Sequence, residues 1–149
     1  MRFRGTCRRR GVTLVEGVIV FAVLLAFLLS AMDLALAVFR SHLVTEAARQ
    51  GARQAIVHGD LADALGTWGP ATVGPLTGTD THPLAQAVSP YLAGFDLSTV
   101  SITAEWPDGG SGRGMRVRVT IRAPYQTFGP ALAGTVLLLS ASSTMPITH

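Results

Sequence analysis

The fold is decided by residues 8–39, which read RRRGVTLVEGVIVFAVLLAFLLSAMDLALAVF. From Val18 to Phe39, only Ser30 and Asp33 interrupt the apolar side chains. As an α-helix rising about 1.5 Å per residue, this run is roughly 33 Å long, enough to cross the hydrocarbon core of a bilayer. A secretory signal peptide has a shorter apolar region, of about 7–15 residues, followed by a small-residue cleavage site. The stretch therefore predicts a membrane-spanning helix.

The same helix is predicted to continue beyond the apolar run, because residues 39–59 contain no proline and their first glycine is Gly51. Two rows of residues recur there every four positions and share one face of a helix. They are Leu43, Ala47, Gly51 and Ala55, and Val44, Ala48, Ala52 and Ile56. Most of these side chains are small, and the charged residues lie largely off this face. The pattern predicts one helix from about Leu14 to His58, with a lipid-compatible first half and an amphipathic second half that packs on a partner element.

Charge is distributed unevenly along the chain. Five arginines precede Gly11, and the remaining seven face nine acidic residues, with no lysine anywhere. Arginines beside an apolar span favour a cytoplasmic N-terminus. Because no basic patch exists outside this leader, we exclude nucleic acid as a partner. Charged residues make up 14% of the chain, against about 25% in a typical soluble domain, and the mean hydropathy is +0.40, which indicates membrane contact.

The last third of the chain alternates between apolar and polar residues, as half-buried strands do. One run extends from Val100 to Trp106 and a second from Met115 to Ala123, with a glycine-rich reversal between them. This pattern predicts a β-hairpin with one apolar face and one arginine-lined face. A third strand is predicted from Thr135 onwards. The expected fold class is α+β, in which the long N-terminal helix packs on a small antiparallel sheet of about three strands.

Five segments are predicted along the chain. They are a basic leader (1–11), a transmembrane helix (12–39), an amphipathic continuation of that helix (40–58), a loop-rich segment with a short helix (59–98) and the antiparallel sheet region (99–149).

No pattern in the sequence predicts catalysis, a cofactor or a metal site. The four histidines are scattered without metal-ligand spacing, and Cys7 alone cannot form an intramolecular disulfide. The glycine-rich GGSGRG lies in a hairpin turn with no helix after it, which argues against a phosphate-binding loop. The alternating arginines 116, 118 and 122 could bind an acidic surface, a polysaccharide or a neighbouring subunit, but a solvated sheet face is the preferred interpretation.

Two motifs carry a resemblance to a known family. Gly11 directly precedes VTLVE, so that Glu16 is the fifth residue after the glycine, and residues 45–59 read TEAARQGARQAIVHG. This combination resembles the TadE-like minor pilins of the tight-adherence (Flp) type IV pilus system. The resemblance implies that a prepilin peptidase cuts between Gly11 and Val12 on the cytoplasmic side of the membrane. It also implies that Glu16 neutralises the N-terminal amine of a neighbouring subunit during assembly.

The resemblance further implies an environment and partners. The expected partners are the prepilin peptidase, other pilin subunits, the pilus assembly machinery and membrane lipid. The chain is expected to be a single-pass protein of the cytoplasmic membrane, with its C-terminal domain outside the cytoplasm and the option of incorporation into a pilus. Independently of the resemblance, Asp33 lies only six residues before Phe39 and is expected at the outer headgroup boundary rather than in a buried pair. The alternative is a bitopic, signal-anchored protein that presents a small extracytoplasmic binding domain.

Overall fold

The computed structural model describes residues 7–62, 66–128 and 134–147, with side chains from Leu14 onwards. Helix α1 runs from Cys7 to Ala55 and contains 49 residues. It begins before the predicted Leu14 and ends three residues before the predicted His58. Its last turn is completed by a hydrogen bond from the amide of Ile56 to the carbonyl of Ala52. Residues 1–6 of the predicted leader lie outside the described residues.

A four-stranded antiparallel sheet follows α1, which confirms the α+β class. Its strands are β1 (Val73–Leu76), β2 (Ser101–Glu105), β3 (Arg116–Gln126) and β4 (Val136–Pro146), and they lie side by side in that order. The predicted hairpin is present as β2 and β3, with Ile102 opposite Ile121 and Glu105 opposite Arg118. The strand predicted after Thr135 is present as β4.

The sheet has one strand more than the three predicted, and the strand that the sequence pattern did not reveal is β1. Its four residues contain Gly74 and Pro75, so no alternation of apolar and polar side chains marks it. Gly74 has a φ of +109°, and a Cβ at this position would stand 2.6 Å from the carbonyl oxygen of Ile102. Because only glycine permits both this conformation and this close approach, β1 is formed by a residue that sequence reasoning assigns to loops.

The hydrophobic core lies between α1 and the sheet. The two small-residue rows predicted from the sequence provide the α1 side of the core, and Ala47, Ala52 and Ala55 are completely buried. The sheet contributes the inward-facing positions of β3, which are Val117, Val119, Ile121, Ala123 and Tyr125. Small side chains on α1 let its backbone approach the branched side chains of β3 closely, which gives dense packing.

A short helix, α2 (Pro83–Val88), packs against α1. It passes directly into a 3₁₀ turn at Ser89–Leu92 that contains Pro90. Proline cannot continue an α-helix interior because it lacks an amide hydrogen, and the chain tightens into a 3₁₀ turn at this point. Leu84, Val88 and Leu92 are buried from this segment. Both elements fall in the segment for which a short helix was predicted.

Candidate functional site

The first half of α1 is uncovered by the rest of the chain. Within Leu14–Ala55, its most apolar 18-residue window has a mean hydropathy of 2.6, and none of that window is buried. By length and composition, α1 is the one helix among the described residues that could cross a membrane. Its large apolar side chains from Leu14 to Phe39 are exposed. This surface is suited to contact with lipid or with other apolar helices.

The predicted cleavage site lies inside α1. The backbone at Gly11 and Val12 is helical, as is the rest of the segment from Cys7 onwards. The side chains before Leu14 are outside the described set. The structure therefore places the predicted cleavage site at the N-terminal end of the uncovered half of α1.

Glu16 lies on the uncovered part of α1, and its side chain is exposed. No side chain that the structure describes donates a hydrogen bond to it or forms an ion pair with it. An isolated carboxylate among apolar side chains would be expensive in hydrocarbon unless an opposite charge neutralised it. Gly17 follows it, and a Cβ at that position would meet no atom within 4 Å. The surface around Glu16 is thus open to a second molecule.

A polar cluster joins α1 to the end of the sheet, and sequence reasoning missed it. Asp33 is only 6% exposed, and its Oδ1 accepts a 2.5 Å hydrogen bond from the hydroxyl of Tyr125. The guanidinium carbon of Arg40 lies 4.7 Å from the ring centroid of Tyr125 and 5.4 Å from that of Phe95. The expectation that Asp33 avoids a buried pair is therefore wrong, because Tyr125 reaches α1 from the last inward-facing position of β3.

The cluster affects the ionisation of Tyr125. Its hydrogen bond to Asp33, followed by burial, raises the pKa of the Tyr125 hydroxyl. Asp33 and Arg40 are seven residues apart and so face the same side of α1. Two charged residues on one face, one inside the apolar run and one directly after it, are the signal by which this cluster could have been found. Its contacts join the apolar half of α1 to the Tyr125 end of β3.

Two histidines at the opposite end of the domain have structural roles. His58 stacks on Trp68, with ring centroids 3.8 Å apart, and its Nδ1 lies 2.8 Å from the carbonyl oxygen of Gly66. His82 accepts a hydrogen bond from the amide of Leu84 and caps the N-terminus of α2. Burial, and secondarily His58, lower the pKa of His82. In the described part of the chain, no three His, Cys, Asp or Glu side chains are grouped so as to hold a metal ion.

The face of the sheet away from α1 forms a shallow polar groove of about 400 Å³. Its lining consists of hydroxyl and charged side chains, namely Ser101, Thr103, Glu105, Arg118, Thr120, Arg122, Ser140 and Ser142. Arg118 donates a weak 3.4 Å hydrogen bond to Thr144, whereas Arg122 has no ion-pair partner within the described ranges. Arg116, the third arginine of this face, forms an ion pair of 2.6 Å with Asp108. The predicted arginine-lined face is present, and it is exposed.

Comparison with known protein families gives a match to the N-terminal part of the chain. Residues 11–53 match the family model described as TadE-like protein, so the resemblance drawn from the sequence motifs is confirmed over this segment. The match begins at Gly11 and ends in the amphipathic part of α1. No curated protein and no solved structure matches the chain. Together with the long apolar helix, the match fits a pilus-associated membrane protein.

Proposed function

We propose that this chain is a minor pilin or pseudopilin of a tight-adherence pilus or a related secretion system. In this proposal, a prepilin peptidase removes residues 1–11 and leaves Val12 as the new N-terminus. The observation that carries the proposal is the position of Glu16, which is exposed on the apolar half of α1, five residues after Gly11, and pairs with no side chain among the described residues. It lies inside the segment that matches the TadE-like family.

Cleavage would create a positive charge that can pair with the carboxylate of Glu16. The new α-ammonium group of Val12 and the carboxylate of Glu16 would each be costly to hold alone in a medium of low dielectric constant. Two opposite charges about 4 Å apart attract by roughly 4 kcal/mol at an effective dielectric constant of 20. Assembly of neighbouring subunits would bring one subunit's amine to the next subunit's Glu16. This mutual neutralisation favours side-by-side packing of the apolar helices.

Processing is tested by mass spectrometry of the membrane-bound protein from cells with an active prepilin peptidase. The proposal expects a mature N-terminus at Val12 in the wild type. Gly11→Phe should retain the leader, because a bulky side chain blocks close approach of the protease to the backbone. Gly17→Phe is the matched control, since a Cβ there meets no atom within 4 Å, and it should be processed normally. A wild-type chain that keeps residues 1–11 would refute this step.

The role of Glu16 is tested by its incorporation into pili or pilus-associated complexes. Glu16→Gln removes the charge with little change in shape, and incorporation should fall severalfold while processing continues. Glu46→Gln is the control, because Glu46 lies in the part of α1 packed on the domain and forms an i, i+3 ion pair of 3.6 Å with Arg49. Equal incorporation of the two variants would argue against neutralisation by Glu16.

The proposed location is the cytoplasmic membrane, with the arginines of the leader inside and the sheet outside the cytoplasm. Partners in this proposal are the prepilin peptidase, pilin subunits, the assembly machinery and lipid. Orientation is measured with a membrane-impermeant thiol reagent on single-cysteine variants in a Cys7→Ser background. Met115→Cys should react in spheroplasts without lysis of the cells. A reaction that required lysis would place the sheet on the other side.

The polar groove on the outer sheet face supports a second candidate, a bitopic binding module. Its hydroxyl side chains and Arg122, which forms no ion pair with the described residues, suit an anionic or carbohydrate ligand. In that case the chain would keep Met1–Gly11 in cells with an active prepilin peptidase, and Arg122→Gln would weaken binding without affecting pilus assembly. Mature chains that begin at Val12 would favour the pilin function instead.

A further inference from the structure

The end of the sheet beside Asp33 exposes a group of large apolar side chains. Phe128 is 75% exposed, and Val136, Leu137 and Leu138 are 56%, 37% and 64% exposed. We call these four residues the sheet-end patch. Outside α1, the described residues contain three further exposed large apolar side chains, Leu61, Tyr91 and Met115. The exposed apolar surface of the sheet is thus concentrated at one end.

Strand β3 runs towards the apolar half of α1, so the sheet-end patch lies close to that half. Val119 packs beside Gly51, whereas Tyr125, six residues later, bonds to Asp33. The ladder between β3 and β4 pairs Gln126 with Val136 and continues with a hydrogen bond from the amide of Thr127 to the carbonyl of Thr135. Phe128 lies two residues beyond the end of β3 and lines one groove with Val136 and Arg40, so it stays at the Asp33 end of the sheet.

The length of α1 sets the depth of this end relative to a membrane. When Val12, the proposed mature N-terminus, is taken as the inner boundary of the hydrocarbon core, the helix rises about 32 Å from there to Asp33, or about 30 Å with an average tilt, which equals the thickness of that core. A bilayer with its headgroups is about 40–45 Å thick, so the outer headgroup layer covers the next several residues of α1. With Val12 at the inner boundary, the Tyr125–Asp33 hydrogen bond would place the end of β3 at the boundary between hydrocarbon and headgroups.

We propose that the sheet-end patch lies in the outer interfacial layer of the membrane and contacts lipid while the subunit is anchored. The inference rests on the proposed anchoring of the chain by α1. Apolar side chains at this depth are removed from water, and Arg40, which follows at the outer side, lies where lipid phosphates are found. The domain is then held against the membrane by two attachments, α1 and the patch, and both must leave lipid when the subunit enters a pilus.

The test uses the full chain reconstituted in nanodiscs that contain lipids with a quencher attached at a chosen depth. Single cysteines are placed on a Cys7→Ser background at Phe128, Leu138, Phe21 and Met115, and each carries the same environment-sensitive fluorophore. Phe128 and Leu138 report on the patch and Phe21 on the bilayer interior. Met115 is the control, because it directly precedes β3 at the opposite end of the sheet.

A shallow quencher should reduce the emission of the Phe128 and Leu138 labels severalfold more than that of the Met115 label. A quencher near the bilayer centre should act most strongly on the Phe21 label.

If the Phe21 label is quenched and both patch labels behave like Met115, the sheet end stands clear of lipid and the inference fails, while anchoring is retained. If the Phe21 label is not quenched either, α1 is outside the bilayer, and anchoring and the inference fail together. Near-ultraviolet circular dichroism of each variant verifies that the domain is folded.

Discussion

The hydroxyl of Tyr125 donates a 2.5 Å hydrogen bond to Oδ1 of Asp33, joining residues that are 92 positions apart in the sequence. Both side chains are buried, and the bond ties the last inward-facing residue of β3 to the apolar half of α1. A buried polar group that loses its partner keeps the cost of its removal from water. This contact therefore contributes to stability and links the end of the sheet to the helix.

Tyr125→Phe removes the donor and leaves the ring in place. We expect it to lower the free energy of unfolding of the domain by about 1–3 kcal/mol, because Asp33 loses a hydrogen bond inside the protein. The measurement is thermal or denaturant unfolding of the detergent-solubilised chain, followed by near-ultraviolet circular dichroism. Tyr91→Phe is the matched control, since the Tyr91 hydroxyl forms no hydrogen bond with the described residues and its side chain is exposed. Equal stability of the two variants would contradict the assignment.

The same hydrogen bond predicts a loss of stability at alkaline pH. The folded state raises the pKa of Tyr125 above its ordinary value of 10.0, so it binds the phenolic proton more tightly than the unfolded chain does. This contribution is fully present below pH 10 and disappears as the pH rises through the folded-state pKa. The stability difference between wild type and Tyr125→Phe should therefore shrink above pH 10. A difference that stays constant up to about pH 12 would show that Tyr125 does not titrate in this way.

The main features of the fold follow from periodicity in the sequence. The four-residue rows of small side chains on α1 and the two-residue alternation in β2 and β3 each mark a buried face, and the structure buries both. Strand β1 was not predicted because its pairing depends on Gly74, whose backbone freedom produces no side-chain pattern. Such a strand can be recognised only when the position of its partner strand is already known.

The sites were predictable to different extents. Gly11, Val12 and Glu16 were identified by local spacing and remain predictions, whereas the cluster of Asp33, Arg40 and Tyr125 required knowledge of which element meets α1. The alternation from Val117 to Ala123 predicts that Tyr125 faces inward, but not that its hydroxyl reaches Asp33. Contacts between distant segments depend on how far the strand extends along the helix, which local pattern does not specify.

Close packing between α1 and its neighbours predicts that Gly51 cannot be enlarged without cost. A Cβ at Gly51 would stand 3.0 Å from side-chain carbons of both Val119 and Val88. Gly51→Leu should therefore destabilise the domain by about 1–3 kcal/mol, because overpacking displaces neighbouring side chains. Gly17→Leu makes the same change at an exposed position of the same helix, where a Cβ meets nothing within 4 Å, and should leave unfolding unchanged. If both variants unfold like the wild type, α1 does not pack on β3 and α2 at this distance.

The exposed pair of Asp108 and Arg116 predicts that the Asp108 carboxylate, in the turn between β2 and β3, stays ionised at unusually low pH. The side chain of Arg116 donates hydrogen bonds of 2.6 and 3.1 Å to Asp108, and its backbone amide adds one of 2.8 Å. These bonds, chiefly those from the side chain, lower the pKa of Asp108 to about 2. Because the folded-state pKa is depressed, the stabilisation is present above the ordinary carboxyl pKa and is lost as the pH falls towards 2.

Titration of the carboxyl carbon by NMR should give this low value in the wild type and a value nearer the usual range in Arg116→Gln. Arg118→Gln, two positions along the same exposed face, should leave the Asp108 titration unchanged, and a shift of equal size in both variants would indicate a general charge effect instead of this pair.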